Sequence, residues 1–213
     1  FERPVVGMTS LGSSCLKYMV QLQPELHQRG FDLAVFHTTG MGGRAFESLA
    51  ARGQFACVMD FSLQEMVNQM GGSVVSAGPE RLMGAGLNGV PMIVAPGATD
   101  LVDYPAWGQM PERFAGRPSH EHNRLIASVG IDANMRREFA HELVNRLSQA
   151  KGPVHLVLPE LGIEEWDRPG APMHDPEGLA AMMDEFDKCN LEGIEVSRIH
   201  SHINDASFVQ QVL

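Results

Sequence analysis

The chain has 213 residues, of which 44% are hydrophobic and 20% charged, and its formal net charge is −10. This length suits one domain with a full core. The negative charge argues against a nucleic acid or an anionic membrane as partner, because both favour basic proteins. Three widely spaced cysteines show neither metal-ligand spacing nor a disulfide framework, which favours a reducing, cytoplasmic compartment.

Short apolar runs alternate with amphipathic segments along the chain. The runs predict six strands, and the segments between them predict helices, the sixth of which has Asp175 as its N-cap. Two stretches rich in Gly and Pro, 100–123 and 160–175, are predicted as loops, and long loops are often functional. The predicted strands are 4–8, 31–37, 55–60, 91–95, 154–158 and 194–199, and the predicted helices are 15–28, 44–52, 63–69, 79–88, 132–149, 176–188 and 205–213.

Strand–helix alternation predicts an α/β fold, a doubly wound, mostly parallel, six-stranded Rossmann-like sheet with helices on both faces. We expect the strand order third, second, first, fourth, fifth, sixth, with a crevice where the first and fourth strands diverge. Residues 1–213 are predicted to form one domain. The chain begins at Phe1 without an initiator Met, so we expect it to be a fragment of a longer protein.

The first candidate ligand loop, residues 9–14, follows the first strand and enters a helix. Ser10, Gly12 and Ser13 are small residues that let the backbone approach an anion, and a helix start supplies free N–H groups. A plain tight turn with a Ser cap explains the loop equally well. Neither common glycine-rich nucleotide fingerprint is present, and the second strand ends in His37 rather than an acidic residue, which argues against NAD.

The second candidate loop, residues 37–44, combines a histidine, two hydroxyls, three glycines and an arginine between a strand and a helix. Glycines permit close approach of the backbone, and an arginine can hold a phosphate or carboxylate through two hydrogen bonds. We predict that this loop binds an anion. Its candidate residues are His37, Thr39, Gly40, Gly42, Gly43 and Arg44.

Other candidates are less specific. Thr99 follows the fourth strand at the expected crevice. Asp60 can serve as an acid/base group, but capping of the following helix is the favoured interpretation. Residues 76–81 resemble a helix start with a proline near its first position, although Arg81 can also face the crevice. Cys15 is a weak nucleophile candidate.

Histidines occur in two close pairs, His120 with His122 and His200 with His202. In extended chain, residues i and i+2 share a face, so each pair can converge on one ion. Neither spacing is specific, and we predict no bound metal. We expect His200 and His202 to line the crevice as hydrogen-bonding or acid/base groups.

Four stretches carry a resemblance to a known family. They are FDLAVFHTTGMGGRAFESL, residues 53–60, SAGPERLMGAGLNGVP and HSHIND. Together they resemble the C-terminal domain of the two-domain ATP-binding family that includes the plant tomato mosaic virus resistance protein. The resemblance implies homodimer formation and ATP binding by the whole protein, through the N-terminal domain or the cleft between domains.

Three hypotheses follow for this chain. The leading one is a ligand-binding domain that holds a small phosphate- or carboxylate-bearing molecule on the loops after the first two strands. The second is a metal-dependent hydrolase or lyase that uses the histidine pairs. The third is a structural domain that forms the dimer.

Overall fold

The computed structural model describes residues 2–213, except for the side chains of residues 13–16. Its strands are β1 Val5–Ser10, β2 Asp32–His37, β3 Cys57–Asp60, β4 Met92–Val94, β5 Leu101–Pro105, β6 Ser119–Glu121, β7 Ile126–Gly130, β8 Val154–Pro159 and β9 Glu195–Ile199. Its helices are α1 Gly12–Gln28, α2 Met41–Ala51, α3 Gln64–Gly71, α4 Met83–Leu87, α5 Ala133–Leu147, α6 Pro176–Phe186 and α7 Ala206–Val212.

A six-stranded parallel sheet in the order β2-β1-β3-β4-β8-β9 forms the centre of the domain. Buried side chains pack on both faces of this sheet. Val6 and Met8 of β1 join one cluster with residues of α1 and α7, and Val5 joins the other with residues of α2, α5 and α6. The predicted doubly wound α/β fold is therefore confirmed. Among the described residues, no helix has the length and apolar character needed to cross a membrane.

The predicted strand order is wrong in one respect. It placed the third strand outside the second, whereas β3 pairs with β1 on one side and with β4 on the other. The burial of the two strands explains this, because Val58, Met59 and Asp60 of β3 are buried while β2 is half-exposed. A strand covered on both faces belongs in the sheet interior. The order therefore reverses between β1 and β3, and the crevice opens there.

The two candidate ligand loops lie side by side, as the sequence predicts. Ser10 at the end of β1 is in register with His37 at the end of β2. The Thr38 amide and the Thr38 hydroxyl both donate to the Ser10 carbonyl, each at 2.9 Å. The carboxyl ends of β1 and β2 are thereby joined at one edge of the sheet.

Residues 100–123, predicted as a loop, instead contain β5 and β6. These strands form a small antiparallel sheet with β7 in the order β5-β7-β6. The strands are three to five residues long and are separated by prolines and glycines, so they show too few alternations to be recognised. This small sheet stands beyond the carboxyl end of β4 and forms one wall of the site described below.

Helix boundaries also differ from the prediction. Helix α4 starts at Met83, because Leu82 has a φ of 75° and interrupts any helix that begins near Pro79. The proline in residues 76–81 therefore does not mark a helix start. The predicted N-cap Asp175 is confirmed, since its Oδ1 accepts the Gly178 amide at 2.9 Å.

Candidate functional site

A cavity of about 310 Å³ lies at the carboxyl ends of the parallel strands. Its walls come from the ends of β1, β2 and β3, from the segments after β4 and β8, and from the small antiparallel sheet. Apolar side chains such as Phe61 and Ile163 supply much of the lining, and a few polar groups converge on it. This combination, at a point where strand order reverses, is typical of ligand sites in open α/β sheets.

Three of the sequence-predicted ligand residues line this cavity. Gly12 is the first residue of α1, and His37 and Thr39 flank the end of β2. All three are exposed. Ser13, predicted beside them, and Cys15 have side chains outside the described residues.

The remaining residues of the second loop pack against protein. The Gly40 amide donates to Glu65 Oε1 at 2.6 Å, and Gly40 has a φ of 94° that favours glycine. A Cβ on Gly42 would overlap the His37 carbonyl, and one on Gly43 would overlap the Glu65 carboxylate. Close packing alone thus accounts for these three glycines.

Arg44, Ser10 and Thr99 do not line the cavity. Arg44 is exposed and donates to the Ser76 carbonyl at 3.2 Å. Ser10 is buried, with its hydroxyl 3.4 Å from the Phe36 carbonyl oxygen. The buried Thr99 hydroxyl donates to the Pro96 carbonyl at 2.8 Å, while its neighbours Gly97 and Ala98 face the cavity.

Behind the second loop lies a buried charge cluster around Arg81, which is 0% exposed. Its guanidinium bonds Asp60 Oδ1 at 2.7 Å, Glu65 Oε2 at 3.0 Å and Glu47 Oε1 at 2.9 Å. Burial opposes the charge on Arg81, but the ion pair with Asp60 raises its pKa overall. We call these four residues the Arg81 cluster. Every charged group in it has a partner of opposite sign.

The Arg81 cluster corrects the interpretation of Asp60. Its carboxylate does not cap α3, which lacks any side-chain cap. Asp60 accepts the Thr9 hydroxyl at 2.6 Å and two bonds from Arg81. An ion pair of this kind suits a structural role, and the acid/base role of Asp60 stays a prediction.

The late histidine pair does not converge. The His200 side chain is 82% exposed, whereas that of His202 is 2% exposed. His202 Nε2 lies 2.9 Å from both the Glu164 carbonyl and Asp167 Oδ1. Within the part of the chain that the structure describes, no group of three or more His, Cys, Asp or Glu residues is placed to hold a metal ion.

The early histidine pair forms an aromatic wall with Trp166, which the sequence did not single out. The ring centroids of His120 and His122 lie 4.4 Å and 5.3 Å from that of Trp166. His122 and Trp166 line the cavity. The sequence signal for this wall was a tryptophan in the Gly/Pro-rich segment 160–175 and two histidines in the Gly/Pro-rich segment 100–123.

Three acidic side chains line the cavity and differ in their partners. Asp103 accepts bonds from Gln64, Ser128 and Asn68, which oppose the rise in its pKa caused by burial. Glu165 is held by Lys17 and Arg168. Glu164 is 7% exposed, and its Oε1 has no hydrogen-bond partner. The sequence offered no motif that marks Glu164.

Known proteins resemble this chain along its whole length. Residues 3–213 match the C-terminal domain of the uncharacterised protein family UPF0261. A UPF0261 protein of Brucella melitensis is 50% identical over 212 residues, which cover 100% of this chain and 51% of that protein. A UPF0261 protein of Clostridium tetani is 30% identical over 97% of this chain and 51% of its own length.

The ToMV resistance protein Tm-1(GCR237) of Solanum lycopersicum is 29% identical over 98% of this chain and 28% of its own length. One solved structure, from Mycobacterium smegmatis in complex with β-D-fucofuranose, gives a TM-score of 0.31 at 11% identity over 98% of this chain and 59% of that one, which is too low to inform fold or ligand. The chain spans about half the length of its bacterial relatives. The resemblance inferred from sequence is confirmed: the chain belongs to the UPF0261 family and corresponds to its C-terminal domain.

Proposed function

We propose that this chain is a small-molecule-binding domain, and that its ligand carries a phosphate or carboxylate group and occupies the carboxyl-end cavity. One observation carries the proposal. Three residues selected from sequence as anion-binding, Gly12, His37 and Thr39, meet in one cavity at the reversal point of a doubly wound sheet.

The cavity lining supports a ligand that has both an anionic group and an apolar part. The first residue of α1 and the side chains of His37 and Thr39 supply donors for an anion. Trp166 and Phe61 offer aromatic surface to the apolar part. A cavity of about 310 Å³ lies at the low end of the range for small-molecule sites, so we infer a ligand smaller than a nucleotide.

ATP, which the resemblance implies for the whole protein, is proposed to bind elsewhere. Because the relatives are about twice as long as this chain, we place ATP in a preceding domain or in the cleft between that domain and this one. The homodimer stays a prediction. For the metal-dependent hydrolase, the exposed His200 and the buried His202 give no specific support.

The proposal is tested by isothermal titration calorimetry of the chain with inorganic phosphate, glycerol 3-phosphate, pyruvate, succinate and ATP. We expect at least one of the four small anions to bind, and His37→Ala to weaken that binding. The exposed His27, on the opposite end of α1, provides the control His27→Ala. Absence of binding by all four small anions, or equal affinity in the two variants, would contradict the proposal.

A further inference from the structure

Glu164 lines the cavity and carries one oxygen that is buried without a partner. The residue follows β8, is 7% exposed and lines the cavity wall. Its Oε2 accepts the Trp166 amide at 2.7 Å, whereas Oε1 is buried without a hydrogen-bond partner. A buried polar atom left unsatisfied is destabilising and rare, and it requires an explanation.

A second carboxyl group stands behind Glu164. Asp100 follows β4, which neighbours β8 in the sheet, and it is 1% exposed with both carboxylate oxygens unpartnered. Burial raises the pKa of Asp100, and the Arg136 guanidinium opposes that rise. Burial likewise raises the pKa of Glu164, and the negative charge of Asp100 raises it further. Both causes favour the neutral form of Glu164.

The segment that carries Glu164 is rigidly held. Asp167 Oδ2 accepts the Ile163 amide at 2.6 Å, and His202 bonds both the Glu164 carbonyl and Asp167 Oδ1. The backbone that carries Glu164 is therefore held in place before any ligand enters. The titratable groups around Glu164 are Asp100, Asp167, Glu165 and His202, and Arg136 acts on Asp100. The same cavity is also lined by His37, Asp103 and His122.

We propose that Glu164 recognises the ligand as a neutral carboxylic acid, with Oε1 donating a hydrogen bond to a carbonyl, carboxylate or phosphate oxygen of the molecule in the cavity. Because Oε2 already accepts the Trp166 amide, the acid proton belongs on Oε1. A carboxyl group kept neutral by its surroundings is an established type of hydrogen-bond donor in enzyme sites. This proposal rests on the proposed function, and it explains how an anion is accommodated beside acidic side chains.

Two substitutions at Glu164 distinguish a neutral hydrogen-bond donor from an ionised carboxylate. Glu164→Gln keeps an N–H donor but cannot ionise, and Glu164→Met keeps the volume but removes the donor. With pyruvate, whose carboxylate stays ionised throughout, we expect wild-type affinity to fall as the pH rises from about 6 to 9. Glu164→Gln should bind within threefold of wild type at the lower pH without that pH dependence, and Glu164→Met should lose at least tenfold. Equal losses in both variants would overturn the proposal, because they would mean that a hydrogen-bond donor at this position is not sufficient for binding.

A measurement without ligand keeps this proposal separate from the proposed function. The infrared difference spectrum of wild type minus Glu164→Gln at neutral pH should contain the C=O stretch of a protonated carboxylic acid, because only the Glu164 carboxyl group differs between the two proteins. Glu165→Gln is the matched control, and its difference spectrum should lack the band, because Glu165 pairs with Lys17 and Arg168. Melting curves check that each variant folds. Failure of every anion to bind, with the band present in the Glu164→Gln difference spectrum, would contradict only the proposed function. Absence of the band from that difference spectrum would overturn the neutral carboxyl group of Glu164.

Discussion

The Arg81 cluster and the Asp100–Glu164 pair are both groups of buried charged side chains, but only the first is internally satisfied. Arg81 bonds three carboxylates, and Asp60 additionally accepts the Thr9 hydroxyl. Asp100 has no hydrogen-bond partner on either oxygen, and Glu164 has none on Oε1. Saturated buried charges indicate a structural role, whereas the unsatisfied oxygen of the cavity-lining Glu164 supports the proposed ligand contact.

The largest expected effect comes from breaking the Arg81 cluster. Arg81→Met leaves Asp60 and Glu65 buried without their counter-ion, and removal of one partner from a buried ion pair typically costs about 3–5 kcal/mol. We expect urea unfolding to show a loss of this size. Arg29→Met, which removes an exposed pair with Glu25, should cost less than about 1 kcal/mol. Similar losses of unfolding free energy in the two variants would mean that the Arg81 cluster does not stabilise the fold.

A smaller effect is expected from Gly43→Ala, which tests why the second loop needs its glycines. The added methyl group would overlap the Glu65 carboxylate, and overpacking typically costs roughly 1–3 kcal/mol. Gly86→Ala in α4 is the control, since its Cβ would meet neighbours at ordinary distances of 3.5 Å or more. Thermal unfolding measures both. A stable Gly43→Ala protein would return the glycine to the set of ligand-facing candidates.

The unsatisfied pair is probed by the pH dependence of stability. Because burial raises the pKa of Asp100 above its ordinary value of 3.8, the folded state binds more protons than the unfolded state over the pH range between the two values. The free energy of unfolding therefore falls as the pH rises through that range. Glu164 and Asp103 contribute to the same decrease because burial also raises their pKa values. Asp100→Asn should therefore make the decrease shallower and raise stability above neutral pH by roughly 1–3 kcal/mol, the cost of an unsatisfied buried group.

The informative comparison is the slope of stability against pH in wild type and in Asp100→Asn, measured by urea titration. Asp103→Asn serves as a control, because Asp103 is buried but satisfied by three side-chain donors, and its replacement should destabilise the protein. Identical slopes in wild type and Asp100→Asn would show that Asp100 titrates normally.

The smallest expected effect on stability belongs to Arg44→Ala. Arg44 is exposed, and substitutions at such positions usually change stability by less than about 0.5 kcal/mol. Its effect on ligand affinity is the sharper readout. The sequence-based hypothesis of an anion contact predicts a loss of roughly 1.5–3 kcal/mol of binding to the small anions above. Unchanged affinity would remove Arg44 from the site.

Sequence periodicity was sufficient for the class of the fold and for the neighbouring positions of the first two loops. It was insufficient for the position of β3, because strand order depends on which strand is buried on both faces, and that is a property of the packed molecule. The strands in residues 100–123 were missed because they are short and interrupted by prolines.

For the site, residue chemistry identified Gly12, His37 and Thr39 but overvalued the glycine-rich run. The run resembled a ligand loop because glycine permits close packing and ligand approach equally well. The positions of the His37 carbonyl and Glu65 show that close packing is the reason here. Glu164 could not be found, because its importance lies in the absence of a hydrogen-bond partner. No sequence pattern encodes that absence.

The most direct test of the carboxyl-end cavity as a ligand site is a crystal structure of the chain grown with the tightest-binding small anion. We expect the anion between Gly12, His37 and Thr39, with an oxygen of the ligand within hydrogen-bonding distance of Glu164 Oε1 and no ligand contact to the Arg81 cluster. Density for the anion outside the cavity, or an empty cavity in a crystal that contains saturating ligand, would contradict the account.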